Sequence, residues 1–210
     1  MQTSGRIMQS EKLKAVLEAL FAAADRPLSV NSIFDLFAGD VELPTKDEIR
    51  QSIHQLIEKY QHSGLELKQV ASGFRLQVKP AYETWVARLW DQKPPRYSRA
   101  LMETLALIAY RQPITRGQIE DIRGVSVSTN IIKTLQEREW VKPLGHKDVP
   151  GRPTLYGTTR EFLDYFNMKS LNELPTLAEI RDLDQYNPEL ALSDVRQSTF
   201  SQTAELIEES

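Results

Sequence analysis

Apolar residues recur at the spacing of an amphipathic helix in two stretches of the chain, residues 11–24 and 99–110. Each stretch is followed by a proline turn, RPLS at residues 26–29 and QPIT at residues 112–115. The proline, the aliphatic residue and the hydroxyl residue of the first turn all recur 86 positions later. An offset shared by three unlike residues indicates two divergent copies of one structural module.

Each copy contains two further predicted helices. Ser29 and Thr115 are placed as N-caps of the second helices, and only Thr115 has the Thr-x-x-Gln form of a capping box. The third helices are predicted to begin near Thr45, with an acidic first turn, and near Ser126. Their apolar stripes are expected to face a small helical core.

Alternating apolar residues then predict a pair of strands in each copy. The first pair covers residues 65–70 and 74–78, and the second covers residues 141–144 and 155–158. The first pair leads into a helix with a wide apolar face, predicted over residues 82–90. Three helices followed by a two-stranded hairpin are the plan of a winged helix-turn-helix.

The predicted fold is therefore mainly α with small β wings (α+β), arranged as two tandem winged helix-turn-helix domains. We expect the first domain over residues 1–92 and the second over residues 98–168, with a linker at residues 93–97 that contains two consecutive prolines. Residues 169–210 read as a short helix followed by an acidic tail, which we expect to be largely disordered.

Composition limits the classes of function. The 210 residues contain no cysteine, which excludes disulfides, thiolate metal sites and a cysteine nucleophile. No apolar run approaches the roughly 18–20 residues that span a bilayer, and the first ten residues lack the apolar core of a signal peptide, so we expect a soluble protein without membrane contact. The chain has no phosphate-binding loop, hydrolase elbow or zinc-protease motif, so we expect no enzyme activity, catalytic residue, cofactor or metal.

Two long segments resemble a known family. YSRALMETLALIAYRQPITRGQIEDIRGVSVSTNIIKTLQEREWV, at residues 97–141, and the following GRPTLYGTTREFLDYFN, at residues 151–167, are similar to segregation and condensation protein B, ScpB. The similarity is specific across the second domain, whereas the first domain matches in layout. The resemblance implies two winged-helix domains in a dimeric subunit. It also implies that such a subunit binds the kleisin ScpA beside an SMC ATPase and supports bacterial chromosome condensation and segregation, so we expect this chain in the cytoplasm at the nucleoid.

The resemblance also implies dimerisation through the first domain. The predicted helix at residues 82–90 presents a wide apolar face, part of which is expected to remain exposed for a second copy of the chain. The candidate dimer-contact residues are Tyr82, Trp85, Val86, Leu89 and Trp90.

Kleisin binding is implied mainly for the second domain. A kleisin segment is expected to lie as a helix in a groove along the first helix of that domain. The candidate residues are Tyr97, Leu101, Leu105, Tyr110 and Arg111. An alternative for Leu101 and Leu105 is that they simply pack in the core of the domain.

Direct DNA binding is the rival interpretation, in which the chain is a tandem winged-helix transcriptional regulator. Residues 1–92, 93–160 and 161–210 carry net charges of −1, +6 and −8, so only the second domain is basic. The third helix of the first domain opens with Asp47 and Glu48, which repel phosphate. We expect at most weak, non-specific DNA contact. The candidate residues for contact with DNA or a protein partner are Arg116, Arg123, Asn130, Lys133 and Arg152.

Overall fold

The computed structural model describes residues 9–89 and 97–175. Its first part contains three helices, a hairpin and a short fourth helix. These elements, which we call the first domain, are α1 (Ser10–Ala23), α2 (Val30–Leu36), α3 (Lys46–Lys59), β1 (Leu65–Val70), β2 (Gly73–Val78) and α4 (Glu83–Val86). The second part repeats the order with one added strand. Its elements, the second domain, are α5 (Arg99–Arg111), β3 (Ile114–Thr115), α6 (Arg116–Arg123), α7 (Thr129–Glu137), β4 (Val141–His146), β5 (Thr154–Thr158) and α8 (Arg160–Tyr165).

Short-range hydrogen bonds start the helices where the sequence predicts them. The Ser32 N–H donates to the Ser29 hydroxyl at 3.0 Å and caps α2. Thr45 begins α3 in a complete capping box, in which the Glu48 carboxylate accepts from the Thr45 N–H at 2.7 Å. Thr115 and Gln118 form the corresponding box at α6, as predicted. Each box satisfies two backbone donors that the first turn of a helix leaves unpaired.

Each domain buries its own apolar core. The α1 residues Leu13, Leu17 and Phe21 are spaced by four and lie on one buried face of the helix. They pack with residues of α2 and α3, of which Ile33, Ile49 and Ile53 are at most 1% exposed. In the second domain α5, α6 and α7 supply the core. The buried residues there include Leu105, Ile108, Ile119, Ile132 and Leu135.

The strands confirm two winged helices and add one feature that the sequence analysis missed. β1 and β2 pair antiparallel, with Leu65 opposite Val78. β4 and β5 form the second hairpin, and β3 joins them to give the order β3-β5-β4. The two residues of β3 are too few to show an alternating pattern. In the first domain a single bridge between Leu28 and Phe74 stands at the position of β3.

The helix predicted over residues 82–90 is not continuous. Pro80–Tyr82 and Ala87–Leu89 are 3₁₀ turns, and only Glu83–Val86 is α-helical. No side chain caps α4 within the described residues. Isolated helices this short gain too few backbone hydrogen bonds to offset nucleation, which accounts for the irregular geometry. Trp90 lies outside the described residues.

The turn of the first hairpin contacts the end of the second domain. The Ala71 N–H donates to the Met168 carbonyl at 3.0 Å, and the Ser72 N–H donates to Asp164 Oδ1 at 2.9 Å. Arg75 Nη2 donates to Asn167 Oδ1 at 2.6 Å. The first hairpin therefore serves as a structural contact between the two domains.

The predicted tail and linker fall mostly outside the described residues. The disorder expected for the tail concerns residues 176–210, which the structure does not describe, and the described part of the predicted short helix is a 3₁₀ turn, Leu171–Glu173. Of the linker, only Tyr97 is described. The domain boundaries at residues 92 and 98 therefore stay predictions. Within the described ranges no helix combines the length and apolarity needed to cross a bilayer.

Candidate protein-binding surfaces

The predicted dimer-contact residues form an exposed apolar surface on the first domain. Tyr82 is 45% exposed, Trp85 is 62% exposed and Leu89 is 76% exposed. The Tyr82 and Trp85 rings lie 6.3 Å apart between centroids, so they form one aromatic patch. Val86 is half-buried beside them. Large apolar side chains exposed together on a small domain are typical of a protein-binding surface.

A cleft of about 250 Å³ lies at the base of this aromatic patch. One wall comes from the end of β2 and from α4, and Asn167 of the second domain closes the other side. Its lining residues are Gln77, Val78, Lys79, Pro80, Glu83, Val86 and Asn167. The cleft therefore places α4 near Asn167 of the second domain.

Two of the predicted kleisin-contact residues are buried, which corrects the prediction. Leu101 is 7% exposed and Leu105 is 2% exposed, because both lie on the face of α5 that packs in the core. They therefore do not line an open groove. The accessible apolar side chains of α5 lie one position further on, where Met102 is half-buried and Ala106 is exposed.

The remaining kleisin candidates lie at the two ends of α5. Tyr110 is 36% exposed and Arg111 is exposed at the C-terminal end. Together with Met102 and Ala106, Tyr110 continues a stripe of accessible side chains at intervals of four residues. The structure thus shifts the candidate surface by one residue along α5.

Tyr97, at the other end of α5, belongs to an aromatic cluster that the sequence analysis did not predict. Arg138 lies over its ring, with 4.7 Å from Cζ to the centroid, and donates to its hydroxyl at 3.0 Å. The Tyr97 and Tyr165 hydroxyls share a hydrogen bond of 3.1 Å. The Tyr165 ring is 4.6 Å from the buried Trp140 ring. The hydrogen bond to Tyr97, with burial, raises the pKa of Tyr165.

Arg123 is largely covered by the second domain and paired within it, which corrects its prediction as a DNA or partner contact. Its side chain is 10% exposed, and its guanidinium donates to Glu103 Oε2 at 2.9 Å. Arg99 donates to the other oxygen of Glu103 at 2.8 Å. Arg123 and Glu103 are 20 residues apart in the sequence, so no local spacing of residues indicated that they pair. Arg123 therefore joins α6 to α5.

The other residues predicted to contact DNA or a protein partner differ in the contacts that they make within the chain. Arg116 is tied to Glu120 at 3.0 Å and to the Thr129 hydroxyl at 3.1 Å. Lys133 is exposed and 3.5 Å from Glu137, and Asn130 is exposed. Arg152 is exposed at the tip of the second hairpin with a φ of 40°. Of Arg116, Arg123 and Arg152, only Arg152 has no ion pair with a described residue.

Replacing Arg123 with methionine is expected to destabilise the chain in a pH-dependent way. Burial raises the pKa of Glu103, but hydrogen bonds from Arg123 and Arg99 outweigh it and lower the pKa overall. A lowered folded-state pKa contributes stability above the unfolded value, near pH 4.3, and this contribution is lost as the pH falls through the folded value. We expect Arg123→Met to reduce the free energy of unfolding by about 1–3 kcal/mol at pH 7.

Urea denaturation of both proteins at pH 7, 5 and about 3.5 measures this effect. The difference between wild type and Arg123→Met is expected to shrink toward the lowest pH, because Glu103 becomes protonated in the wild type. The control is Lys133→Met, which removes an exposed ion pair and is expected to change stability little. A difference that stays constant across the pH range contradicts the role assigned to Glu103.

Across residues 9–89 and 97–175, no group of three or more histidine, aspartate or glutamate side chains is arranged to hold a metal ion. The exposed aromatic patch and the accessible face of α5 are instead surfaces suited to protein contact.

Comparison with known proteins agrees with this layout. The family model described as segregation and condensation complex subunit ScpB matches residues 15–177. The segregation and condensation protein B homolog of Coxiella burnetii is 50% identical over 184 residues, which cover 85% of this chain and 87% of that protein. Segregation and condensation protein B of Myxococcus xanthus is 41% identical over 190 residues, which cover 90% of this chain and 56% of that longer protein.

Among solved structures, a dimer of an ScpB N-terminal domain complexed with an ScpA peptide matches 38% of this chain and 96% of its own. The identity is 24% and the TM-score is 0.34. The family model spans both winged-helix domains, and the Coxiella burnetii relative aligns over most of both chains. The chain therefore belongs to the ScpB family of segregation and condensation complex subunits.

Proposed function

We propose that this chain is a non-catalytic, dimeric subunit that binds the kleisin ScpA of a bacterial SMC complex and so supports chromosome condensation and segregation. The observation that carries the proposal is membership of the ScpB family across residues 15–177, a range that includes nearly all of both domains. The dimeric state and the kleisin partner that we propose are those named for the solved ScpB N-terminal domain with its ScpA peptide. The SMC ATPase is reached through the kleisin, at the nucleoid.

Dimerisation is assigned to the aromatic patch of the first domain. Tyr82, Trp85 and Leu89 are the residues that the patch exposes most. Burying aromatic side chains in an interface removes large apolar areas from water, and such residues dominate the energetics of protein contacts. A two-fold axis beside α4 brings the same patch of each copy together, as closed homodimers require.

Kleisin binding is assigned to the accessible face of α5. Met102, Ala106 and Tyr110 form its apolar stripe, and Arg111 adds a cation at the C-terminal end. The buried Leu101 and Leu105 hold the helix on the core and make this face rigid. An amphipathic helix of the kleisin that packs along α5 buries the stripe, and an acidic residue in that helix pairs with Arg111.

Light scattering coupled to size-exclusion chromatography tests the proposed function directly. The purified chain is expected to elute as a dimer and, mixed with its cognate kleisin, to form a stable complex of larger mass. In parallel, binding to a set of duplex DNA sequences is measured at physiological salt. A chain that ignores the kleisin and holds one duplex sequence tightly overturns the proposal in favour of a transcriptional regulator.

A double substitution on α5 tests the assigned kleisin surface. Ala106→Glu with Arg111→Glu places negative charge on the stripe and reverses its terminal cation. We expect kleisin affinity, measured by isothermal titration calorimetry, to fall at least about tenfold, which corresponds to the loss of about 1.4 kcal/mol.

The matched control for that experiment is Arg160→Glu with Ser170→Glu. Both residues are exposed in or just after the second domain, neither lies on α5, and the change in net charge is the same. The control is expected to keep the kleisin affinity within about twofold. Equal losses in the two double variants show that net charge, and not the face of α5, governs the affinity.

A further inference from the structure

The turns of the two hairpins differ in their contacts and in their exposure. The turn of the first hairpin is occupied, since Ala71 and Ser72 donate their N–H groups to Met168 and Asp164 of the second domain. The connection between β4 and β5, residues 147–153, is longer than the corresponding turn at residues 71–72. We call β4, this connection and β5 the second wing. Of the two hairpins, the second wing is the one in whose tip every residue from 147 to 152 is exposed.

The tip of the second wing is shaped by its own backbone hydrogen bonds. The Lys147 N–H donates to the Pro153 carbonyl at 2.9 Å and closes the connection. The Arg152 N–H donates to the Val149 carbonyl at 2.9 Å around Pro150 and Gly151. Proline followed by glycine with a φ of 85° is the pattern of a type II turn. The wing therefore presents its side chains from a defined backbone.

Three cations of the second wing have no ionic partner within residues 9–89 and 97–175. Lys142, Lys147 and Arg152 are exposed, and none forms an ion pair with a residue that the structure describes. In the same domain Arg99, Arg116, Arg123 and Lys133 are each paired with a carboxylate. The connection at residues 147–153 contains one acidic residue, Asp148. Arg111, Arg138 and Arg160 of the same domain also lack an ion pair among the described residues, but they lie at the ends of three different helices, whereas the wing groups three such cations on one hairpin.

The backbone of Arg152 adopts a conformation that is unfavourable for arginine. Its φ of 40° lies in the left-handed region, where a residue with a Cβ is strained and glycine is not. Such strain persists only where the surrounding structure or a function demands it. At this position the strained residue carries a long cationic side chain at the outermost turn of the wing.

We propose that the second wing binds the phosphate backbone of duplex DNA without reading its sequence. Lys142 lies in β4 opposite Gly157, and Lys147 directly follows β4 and bonds to Pro153, so the two lysines face positions four residues apart and their backbones are separated by about 13 Å. Cations separated by that length can each contact a different phosphate of the DNA backbone. A single carboxylate group is too small to pair with all of them at once. The tip residues Val149, Pro150 and Gly151 offer no hydrogen-bonding side chain for base edges.

An acidic protein segment is the alternative occupant. Leu144 is 50% exposed and Val149 is 40% exposed on the same wing, and a protein partner would use such apolar side chains. The three separated cations favour the DNA backbone, and the experiment distinguishes the two classes.

Fluorescence anisotropy with a labelled duplex of mixed sequence tests the proposal on the full chain. Three phosphate contacts give a slope of log affinity against log salt concentration of about −2.7 between about 50 and 200 mM salt. We expect Lys142→Gln, Lys147→Gln and Arg152→Gln together to weaken binding at least about tenfold at the lower salt concentration and to bring the slope close to zero.

The matched control neutralises three exposed cations of the first domain, Lys12, Arg26 and Arg50, to glutamine. The change in net charge is identical, and DNA affinity is expected to stay within about threefold. Equal losses in the two triple variants overturn the proposal, because they show a general effect of charge. Tighter wing-dependent binding of a poly-glutamate peptide than of DNA overturns it in favour of an acidic protein partner.

A single substitution separates binding from folding. Arg152→Gly removes both the cation and the backbone strain, so we expect a melting temperature about 1–3 °C higher and a weaker affinity for DNA. The opposite movement of stability and affinity identifies strain retained for binding. A variant that gains stability and keeps full DNA affinity contradicts the role of Arg152.

Discussion

Replacing Trp85 and Leu89 with glutamate is expected to convert the dimer into monomers. Both side chains are more than half exposed on the first domain and form the centre of the proposed contact. Two carboxylates at that position must be buried against their symmetry mates, where desolvation and like-charge repulsion oppose association. We expect a loss of roughly 2–4 kcal/mol of dimerisation free energy, or about 30- to 1,000-fold in Kd. Sedimentation equilibrium over a range of concentrations measures it.

The control for the dimer places the same two charges elsewhere. Ile122→Glu with Val125→Glu alters two apolar residues of the second domain that are 52% and 56% exposed. This variant is expected to keep the wild-type dimerisation constant, since neither residue lies near α4 in sequence. An unchanged dimer after the Trp85 and Leu89 substitutions shows that α4 does not form the contact and that another face of the chain does.

Gly73→Ala is expected to cost more stability than Gly39→Ala or Gly64→Ala. A Cβ at Gly73 falls 2.3 Å from the Leu28 carbonyl oxygen and 2.6 Å from the Ser29 nitrogen, and the φ of 149° already disfavours any side chain. The Leu28 carbonyl oxygen accepts from the Phe74 N–H at 2.9 Å, and the Leu28 N–H donates to the Phe74 carbonyl at 2.8 Å, so the Leu28 backbone cannot move away without breaking this bridge. We expect the free energy of unfolding to fall by about 3 kcal/mol or more.

Two other glycines separate the causes of that loss. Gly39 has a φ of 100° but open space around its Cβ position, so Gly39→Ala reports backbone strain alone and is expected to cost about 1 kcal/mol. Gly64 has ordinary contacts and no positive φ, so Gly64→Ala is expected to be close to neutral. Urea denaturation of the three variants gives the comparison. Equal losses at Gly73 and Gly39 show that the backbone bridge does not make the difference.

The Gly73 change also tests the contact between the domains. Ala71 and Ser72 lie in the same turn, and their N–H groups are held by residues of the second domain. Moving the turn to accommodate a Cβ displaces those donors from Met168 and Asp164. Faster amide hydrogen exchange at Ala71 and Ser72 in Gly73→Ala is therefore expected alongside the loss of stability.

Local signals predicted the helix starts and the repeat correctly. Thr45 with Glu48 and Thr115 with Gln118 form capping boxes between residues three apart, so neighbours in sequence suffice to encode them. The hairpin strands followed from alternating apolar residues, and the repeated proline turns revealed the duplication. The continuous helix predicted over residues 82–90 was wrong, because apolar content alone does not cap or lengthen a helix.

The exposure of residues along α5 shows what the spacing of apolar residues cannot predict. The apolar pattern identified an amphipathic helix but did not establish which apolar residues face outward, and the candidates Leu101 and Leu105 proved to be core residues. A difference of one position rotates a residue by about 100° around a helix, so a small error in assigning the face moves a residue from surface to core. Only packing against α6 and α7 fixes that rotation.

The sequence by itself determined the two winged-helix domains, their helix caps and the family, since these depend on neighbours in sequence or on long matching segments. The tertiary structure decided that Arg123 pairs with Glu103, that Ser72 donates to a carboxylate 92 residues away, and that three cations of the second wing have no ion pair with a described residue. Contacts over such separations form only when packing brings distant elements together, and no local pattern specifies which partner a charged or polar group will meet.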